Sequence, residues 1–312
     1  MTSDVQKYVL RQLKAMRAKE IVTSVTLQAD LAKNLSVEVN DASIRKFLKK
    51  AGYRWLPRCQ KKKYSAQQRA ARMKFATQVL RLSIAQLRAK LDLSLDGVVL
   101  SMPPADATDR FNYCWGGESH MWRKRDEANL LALAGRDEYK KQVPIERAIP
   151  LWGGLSQGGF APVHWHPKHK TDQYEWSTAV LDGKLTGAIR ALNPSKKSGP
   201  YTVLCDGETF LRAKKSMQAY RRKNVSLWTC PPKSPDLNLV EMFWRWLRKR
   251  LRKMDLADLR KKRALMSKAA YIQRIKSVIQ TNKAQTVAKA FAKKLRSTCK
   301  LVVKRQGAAA DN

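Results

Sequence analysis

The apolar residues of this chain change their period near residue 91, and that change confines the fold more than any single motif. Before it, Val5, Tyr8, Val9, Leu13 and Met16 recur at helical spacing over residues 4–19, and Leu27, Leu31 and Leu35 recur every fourth residue in "VTLQADLAKNL". After the break "SVEVN", Asp41 is suited to cap a second helix, "ASIRKFLKKAG", with Ile44, Phe47 and Leu48 facing inward and Gly52 as its stop. From residue 91 the period becomes two: "LDLSLDGVVL" sets Leu91, Leu93 and Leu95 against Asp92, Ser94 and Asp96. "FNYCW" (111–115) and "HMWRK" (120–124) read as a hairpin about Gly116 and Gly117, and "RAIPLWGGLS" with "GGFAPVHWH" as another. A helix over 174–192, a buried strand "YTVLCD", a helix near 208–223, a short strand "VSLWTC" and the helix opened by "SPDLNLVEMFW" complete the pattern. Antiparallel strands followed by alternating strands and helices predict an α/β fold, a mixed sheet covered by helices.

Four regions follow. Residues 1–56 are an all-α helix-turn-helix domain; 57–90, with Pro57 and the run Lys61, Lys62, Lys63, are a basic linker and helix; 91–263 hold the mixed sheet; 264–312 are a basic helical C-terminal region. The tail "QGAAADN" is expected to be disordered.

Charge decides the class of partner. Against 25 Asp+Glu stand 63 Lys+Arg, a net charge of +38, spread from Lys14 to Arg305. Several phosphate-binding surfaces favour long nucleic acid over a small acidic ligand, with a membrane surface the weaker alternative. No run of about 18 apolar residues and no charged-then-apolar leader is present, so a soluble intracellular protein is expected. The five cysteines lie too far apart for a zinc ribbon or a disulfide framework. A helical bundle with solvated lysines would account for residues 24–52 equally well, but the charge favours a major-groove reader presenting Ser43, Arg45, Lys46, Lys49 and Lys50. The basic stretches 58–63 and 248–263 also suit a nuclear address, so the nucleus is the expected compartment.

One acid heads the basic helix after "SPDLN": Glu241, followed on the same face by Arg245, Arg248 and Arg252, all suited to phosphate. Glu241 has three readings: a capping box with Asn238, an ion pair with Arg245, or part of a carboxylate cluster for metal-assisted phosphodiester chemistry. The third needs partners. If the strands carrying Asp96 and Asp206 are neighbours, their carboxylates converge at one edge and Glu241 enters from the following helix.

"VLCDGE", then "CPPKSPDLNLVEMFWRWLRKRL", with 34 residues between Asp206 and Glu241, resembles the catalytic half of mariner-like DNA transposases. The resemblance runs from about residue 24 to 263 and is most specific over Ser234–Glu241. It implies a ribonuclease H-like catalytic domain behind helix-turn-helix modules, with Asp96, Asp206 and Glu241 as the catalytic, metal-binding acids. It further implies two Mg2+ ions, with Mn2+ as substitute, double-stranded DNA as partner (terminal inverted repeats and a TA target), and a homodimer on paired ends. Cleavage of transposon ends and strand transfer into target DNA would be the activity. The chain departs from the family in carrying Gly97 and Gly207 where Glu and Asn often follow the first two acids, Leu239 for a frequent Pro, and room for one helix-turn-helix unit where two are common. Asp106 and Asp109 are fallback first acids.

A catalytically inactive, transposase-derived DNA-binding protein is the main rival; an RNA-binding protein is weaker, since aromatic RNA-binding motifs are absent. His164, His166 and His169 in "HWHPKH" suit either a transition metal or a polar DNA-facing edge. Glu118 and His120 carry no assigned chemistry. Trp115, Trp122, Trp152, Trp228 and Trp244 read as core rather than as base-stacking platforms.

Overall fold

The computed structural model describes residues 1–16, 22–57, 64–105, 120–124, 126–129, 143–166 and 171–310. They fall into two compact units, one of residues 1–63 and 106–142, the other of 64–105 and 143–312.

In the smaller unit the helical spacing produces α1 (Ser3–Met16), α2 (Ser24–Leu35) and α3 (Asp41–Lys50). Val9, Leu13, Leu27, Leu31, Ile44 and Leu48 bury completely in one core, while Leu35 at the end of α2 is 40% exposed. Asn40, not Asp41, caps α3: its Oδ1 accepts the Ala42 N–H at 2.8 Å. Asp41 lies inside the first turn and pairs with Arg45 one turn on, at 3.1 Å. The segment around Pro57 begins as strand: β1 (Arg54–Pro57) pairs antiparallel with β3 (His120–Arg123). β3 falls on "HMWRK"; the other arm of the hairpin expected there, residues 111–115, lies outside the described residues.

The larger unit carries a five-stranded mixed sheet in the order β5-β4-β2-β6-β7. β2 (Leu93–Ser101), β4 (Ala148–Ser156) and β5 (Gly159–Trp165) form an antiparallel meander, and β6 (Tyr201–Cys205) and β7 (Val225–Thr229) continue from β2 in parallel. On one face pack α4 (Ala66–Arg81), α9 (Val240–Arg260), α10 (Lys268–Gln280), α11 (Asn282–Ala292) and α12 (Leu295–Lys304), joining Val98, Leu100, Leu151 and Leu204 to Phe243, Trp244, Leu247 and Tyr271. On the other pack α6 (Gln173–Leu181), α7 (Lys184–Leu192) and α8 (Lys214–Arg222), joining Leu93, Leu95, Trp152 and Val203 to Trp176, Ile189 and Tyr220. A short α5 (Ile84–Lys90) precedes β2. This is the α/β, helix-covered sheet expected from the period change.

The differences are local. The helix expected over 174–192 is two, because Gly183 turns left-handed at φ 80° between them. The helix expected near 208–223 is a 3-10 turn, Phe210–Arg212, followed by α8. Residues 307–310, expected to be disordered, are ordered. Gln285 of α11 covers the open edge of the sheet, accepting from Phe160 N at 2.9 Å and donating to Phe160 O at 3.2 Å. Among the described residues no helix is long and apolar enough to cross a membrane.

Candidate active site

Asp96 and Asp206 come level because β2 and β6 run parallel, Leu93 opposite Val203 and Ser94 opposite Leu204. Two residues further along each strand stand Asp96, inside β2, and Asp206, the first residue beyond β6. Strand parity turns Asp96 away from Leu93 and Leu95 and onto the face shared by Val98, Leu100 and α9, where it is 5% exposed. The turn before α9 meets β2 directly: Asn238 Nδ2 donates to Leu95 O at 3.2 Å. α9 then brings Glu241 in its first turn and, three residues on, Trp244, whose Nε1 donates to Asp96 Oδ2 at 3.1 Å. Asn238 is therefore not the expected helix cap. Leu239 holds that position without a side-chain bond, and the capping-box reading of Glu241 falls with it.

The electrostatics identify these acids as mutual neighbours. Burial pushes the Asp96 carboxyl well above its usual range, and the charges of Glu241, Asp206 and Glu208 push it further, against the Trp244 bond. Burial raises Asp206 as well, opposed by the Glu208 backbone N–H and by Arg212, whose Nη2 donates to Gly207 O at 2.7 Å. Burial and Asp206 carry Glu208 up to about 7, although it faces solvent more than the other three. Carboxylates are hard-oxygen donors, and a divalent cation drawn in beside Asp96 would relieve the repulsion that its acidic neighbours impose on it. Among the described residues no three His, Cys, Asp or Glu side chains are grouped closely enough to hold a metal ion as they stand. The acids lie within electrostatic reach of one another and are not already drawn into a chelate.

A stability test follows from the direction of these shifts. A carboxyl whose folded pKa exceeds its unfolded value binds its proton more tightly when folded, so it weakens the fold as pH rises from the unfolded value through the folded one. For Asp96 that window opens at 3.8 and extends well upward; for Glu208 it runs from 4.5 to about 7. Without divalent cation, the melting temperature of the native chain relative to Asp96→Asn is expected to fall across this window, and Mn2+ to flatten the trend. A difference independent of pH would overturn the assignment.

Gly97, next to Asp96, has no room for a side chain. Gly97 stands opposite Trp152 in the β2–β4 register, and a Cβ there would lie 2.7 Å from the indole Cζ2. Gly97→Ala is expected to cost about 1–3 kcal/mol through overpacking, read from urea denaturation. Gly207 is different: a Cβ would meet Arg212 at 3.5 Å and Thr229 at 3.9 Å, which is ordinary contact.

The other expected site residues divide. Ser43, Arg45, Lys46, Lys49 and Lys50 are all exposed on α3, in the smaller unit. On α9, Arg245 and Arg248 are exposed and Arg252 is half-buried. Lys61, Lys62, Lys63, Asp106, Asp109, Trp115, Glu118 and His169 lie outside the described residues. His164 and His166 are buried, which corrects the DNA-facing reading. Glu175 meets His164 Nε2 at 2.9 Å and Lys184 Nζ approaches its Nδ1 at 3.3 Å, so both ring nitrogens of this histidine already have protein partners. Sequence reasoning missed Glu208, although it stands two residues past Asp206 in "DGE". It also missed the Trp244 indole N–H, because an apolar helix face hides the one polar atom of the ring.

Residues 115–263 match the model of a family described as DDE superfamily endonuclease. The matched span is similar to a DDE superfamily endonuclease and covers just under half of the chain. Asp206 and Glu241 lie inside the matched span, and Asp96 precedes it on the same sheet. No curated protein matches the sequence. Among solved structures, a pre-cleavage Mos1 transpososome matches with a TM-score of 0.54 at 12% identity, over 95% of this chain and 78% of that one. The Mos1 mariner paired-end complex with Mn matches at 0.51 and 13%, over 95% and 78%. The Mos1 catalytic domain with Raltegravir and Mg matches at 0.51 and 11%, over 79% and 98%. At this identity the likeness is one of fold: the helix-flanked mixed sheet matches that of the Mos1 catalytic domain.

Proposed function

We propose that the protein is a mariner-like DNA transposase that cuts at the ends of its element and joins the freed 3′ hydroxyl to target DNA. The observation that supports the reading is the buried Asp96 carboxyl under the charges of Asp206 and Glu241, in a chain whose residues 115–263 match a DDE superfamily endonuclease model. These acids would hold divalent cations, Mg2+ or Mn2+, the ions bound in the Mos1 structures of the same fold. Such ions supply Lewis-acid activation of the attacking oxygen and charge stabilisation of the leaving one. The rest falls to the chain itself. Trp244 fixes one oxygen of Asp96, Asn238 ties the α9 entry to β2, and Arg212 stands beside Asp206 as a cation that a scissile phosphate would meet. The attacking groups are water in cleavage and the DNA hydroxyl in joining, so no covalent protein intermediate is needed.

DNA recognition is assigned to α2 and α3 as a helix-turn-helix. Ser43, Arg45, Lys46, Lys49 and Lys50 would enter the major groove, while Lys61, Lys62, Lys63, Arg245, Arg248 and Arg252 would hold phosphate. A homodimer on paired inverted repeats, a TA target and nuclear action complete the proposal. The test is incubation with DNA carrying the inverted repeats that flank the gene, with Mg2+ or Mn2+ and a target plasmid. Cutting followed by joining is the expected result. Binding without cutting would make the chain a DNA-binding derivative of a transposase, and absence of binding would sink the reading.

A further inference from the structure

Arg72, in α4, is fully buried, and every nitrogen of its guanidinium is engaged. Nη1 and Nη2 grip both oxygens of Asp236 at 2.8 and 2.6 Å, Nε donates to Gly307 O at 2.8 Å, and Nη2 reaches Ala308 O at 3.2 Å. Tyr64 stacks on the cation, 4.5 Å from Cζ to ring centre. Asp236 in turn accepts Ala310 N at 2.8 Å, and Arg305 Nη1 holds Ala309 O and Ala310 O at 2.8 and 3.0 Å. Gly307 makes the close approach possible. It is left-handed at φ 82°, and a Cβ there would lie 2.6 Å from Arg69 O.

Asp236 sits in the turn that delivers the acid site. Two residues later Asn238 bonds Leu95 O, beside Asp96, and five residues later comes Glu241. The geometry points to residues 307–310 and Arg72 as a clamp that acts through Asp236 to hold Asn238 and Glu241 against β2. Arg72 and Asp236 are thus positioning residues for the acid site, an inference that rests on the proposed function for its catalytic meaning. A buried ion pair adds little net stability over an apolar pair, yet it enforces one geometry, and a carboxylate cluster needs placement to within about 0.5 Å. The polar grip on the strap is through its main chain, while Ala310 also packs against the core beneath it.

The test compares the native full-length chain with a chain ending at Gln306, with Arg305→Ala, which loosens the strap and leaves Arg72 in place, and with Asp236→Asn. Asp255→Asn is the control, since it breaks another buried ion pair of the same unit, with Arg274 at 2.9 Å, fourteen residues along α9 from Glu241. Amide hydrogen exchange over residues 237–243 is expected to quicken by at least about tenfold when the strap is removed or Asp236 changed, and less in Arg305→Ala, with β4 and β5 unchanged. Mn2+ affinity, followed by the electron spin resonance of the free ion, is expected to fall by about 10–100-fold in parallel, whereas the control moves neither. Should Asp236→Asn fail to fold, the truncated and Arg305→Ala chains carry the comparison. Unchanged exchange at 237–243, or exchange raised equally throughout the sheet, overturns the clamp. A native chain whose Mn2+ binding is indifferent to Asp206→Asn would defeat the metal-dependent function instead, while the exchange data would still decide the clamp.

Discussion

Asp96→Asn, Asp206→Asn and Glu241→Gln are each expected to lower the rate of DNA-end cleavage by about 10³-fold or more, with binding of the same DNA largely retained. The magnitude follows from the several kcal/mol of transition-state charge stabilisation that a bound cation supplies, at about 1.4 kcal/mol per tenfold in rate. Because the three carboxylates act as one unit, a double substitution should cost little more than a single one. Stability should move the opposite way for Asp96. Its carboxyl is pushed up by burial and by Glu241, Asp206 and Glu208, so removing the charge relieves repulsion in the metal-free chain. A chain that melts higher and cuts far more slowly is the signature of a site assembled for a cation at the expense of the fold. Cleavage assays with Mg2+ and Mn2+, run beside thermal melts of the same three variants, read both effects. Cutting that survives Asp96→Asn would move the first acid elsewhere.

Arg72→Met is expected to destabilise the larger unit by about 3–5 kcal/mol, because it leaves Asp236 buried without its cation. The double variant Arg72→Met/Asp236→Leu should recover most of that loss, since apolar groups of similar size leave no orphaned charge. An exposed pair gives the contrast: Arg45→Ala, which breaks the contact with Asp41 on α3, should cost about 0.3–0.5 kcal/mol. Urea denaturation midpoints for the four chains separate these cases. Equal costs for Arg72→Met and Arg45→Ala would mean that the buried pair is not held as described.

Much of the fold was legible because burial leaves its period in the sequence. The alternation in "LDLSLDGVVL", the hairpin about Gly158, the runs "YTVLC" and "VSLWT" and the face Phe243, Trp244, Leu247 and Leu251 each record which side of an element meets the core. The places of Asp206 and Glu241 in their elements were legible for a related reason. One ends an apolar strand and the other heads a helix behind a rigid turn, so their positions are set within a few residues of chain.

What the sequence determined by itself was therefore local: the type of each element, the face it buries and the places where an acid interrupts the pattern. Only the tertiary structure decided the pairings, because contacts between distant segments leave no periodic trace. Arg72 and Asp236 are 164 positions apart, and nothing near either announces the other. Trp152 lies over Gly97 only because β2 and β4 adopt one register. The tail that composition marks as disordered is ordered because Arg72, Asp236 and Arg305 bind its backbone, whose polar groups are alike in every sequence. Asp96 and Asp206 come level because β6 lies beside β2, and α9 returns across that face, an arrangement set by how the apolar faces of the whole unit bury together.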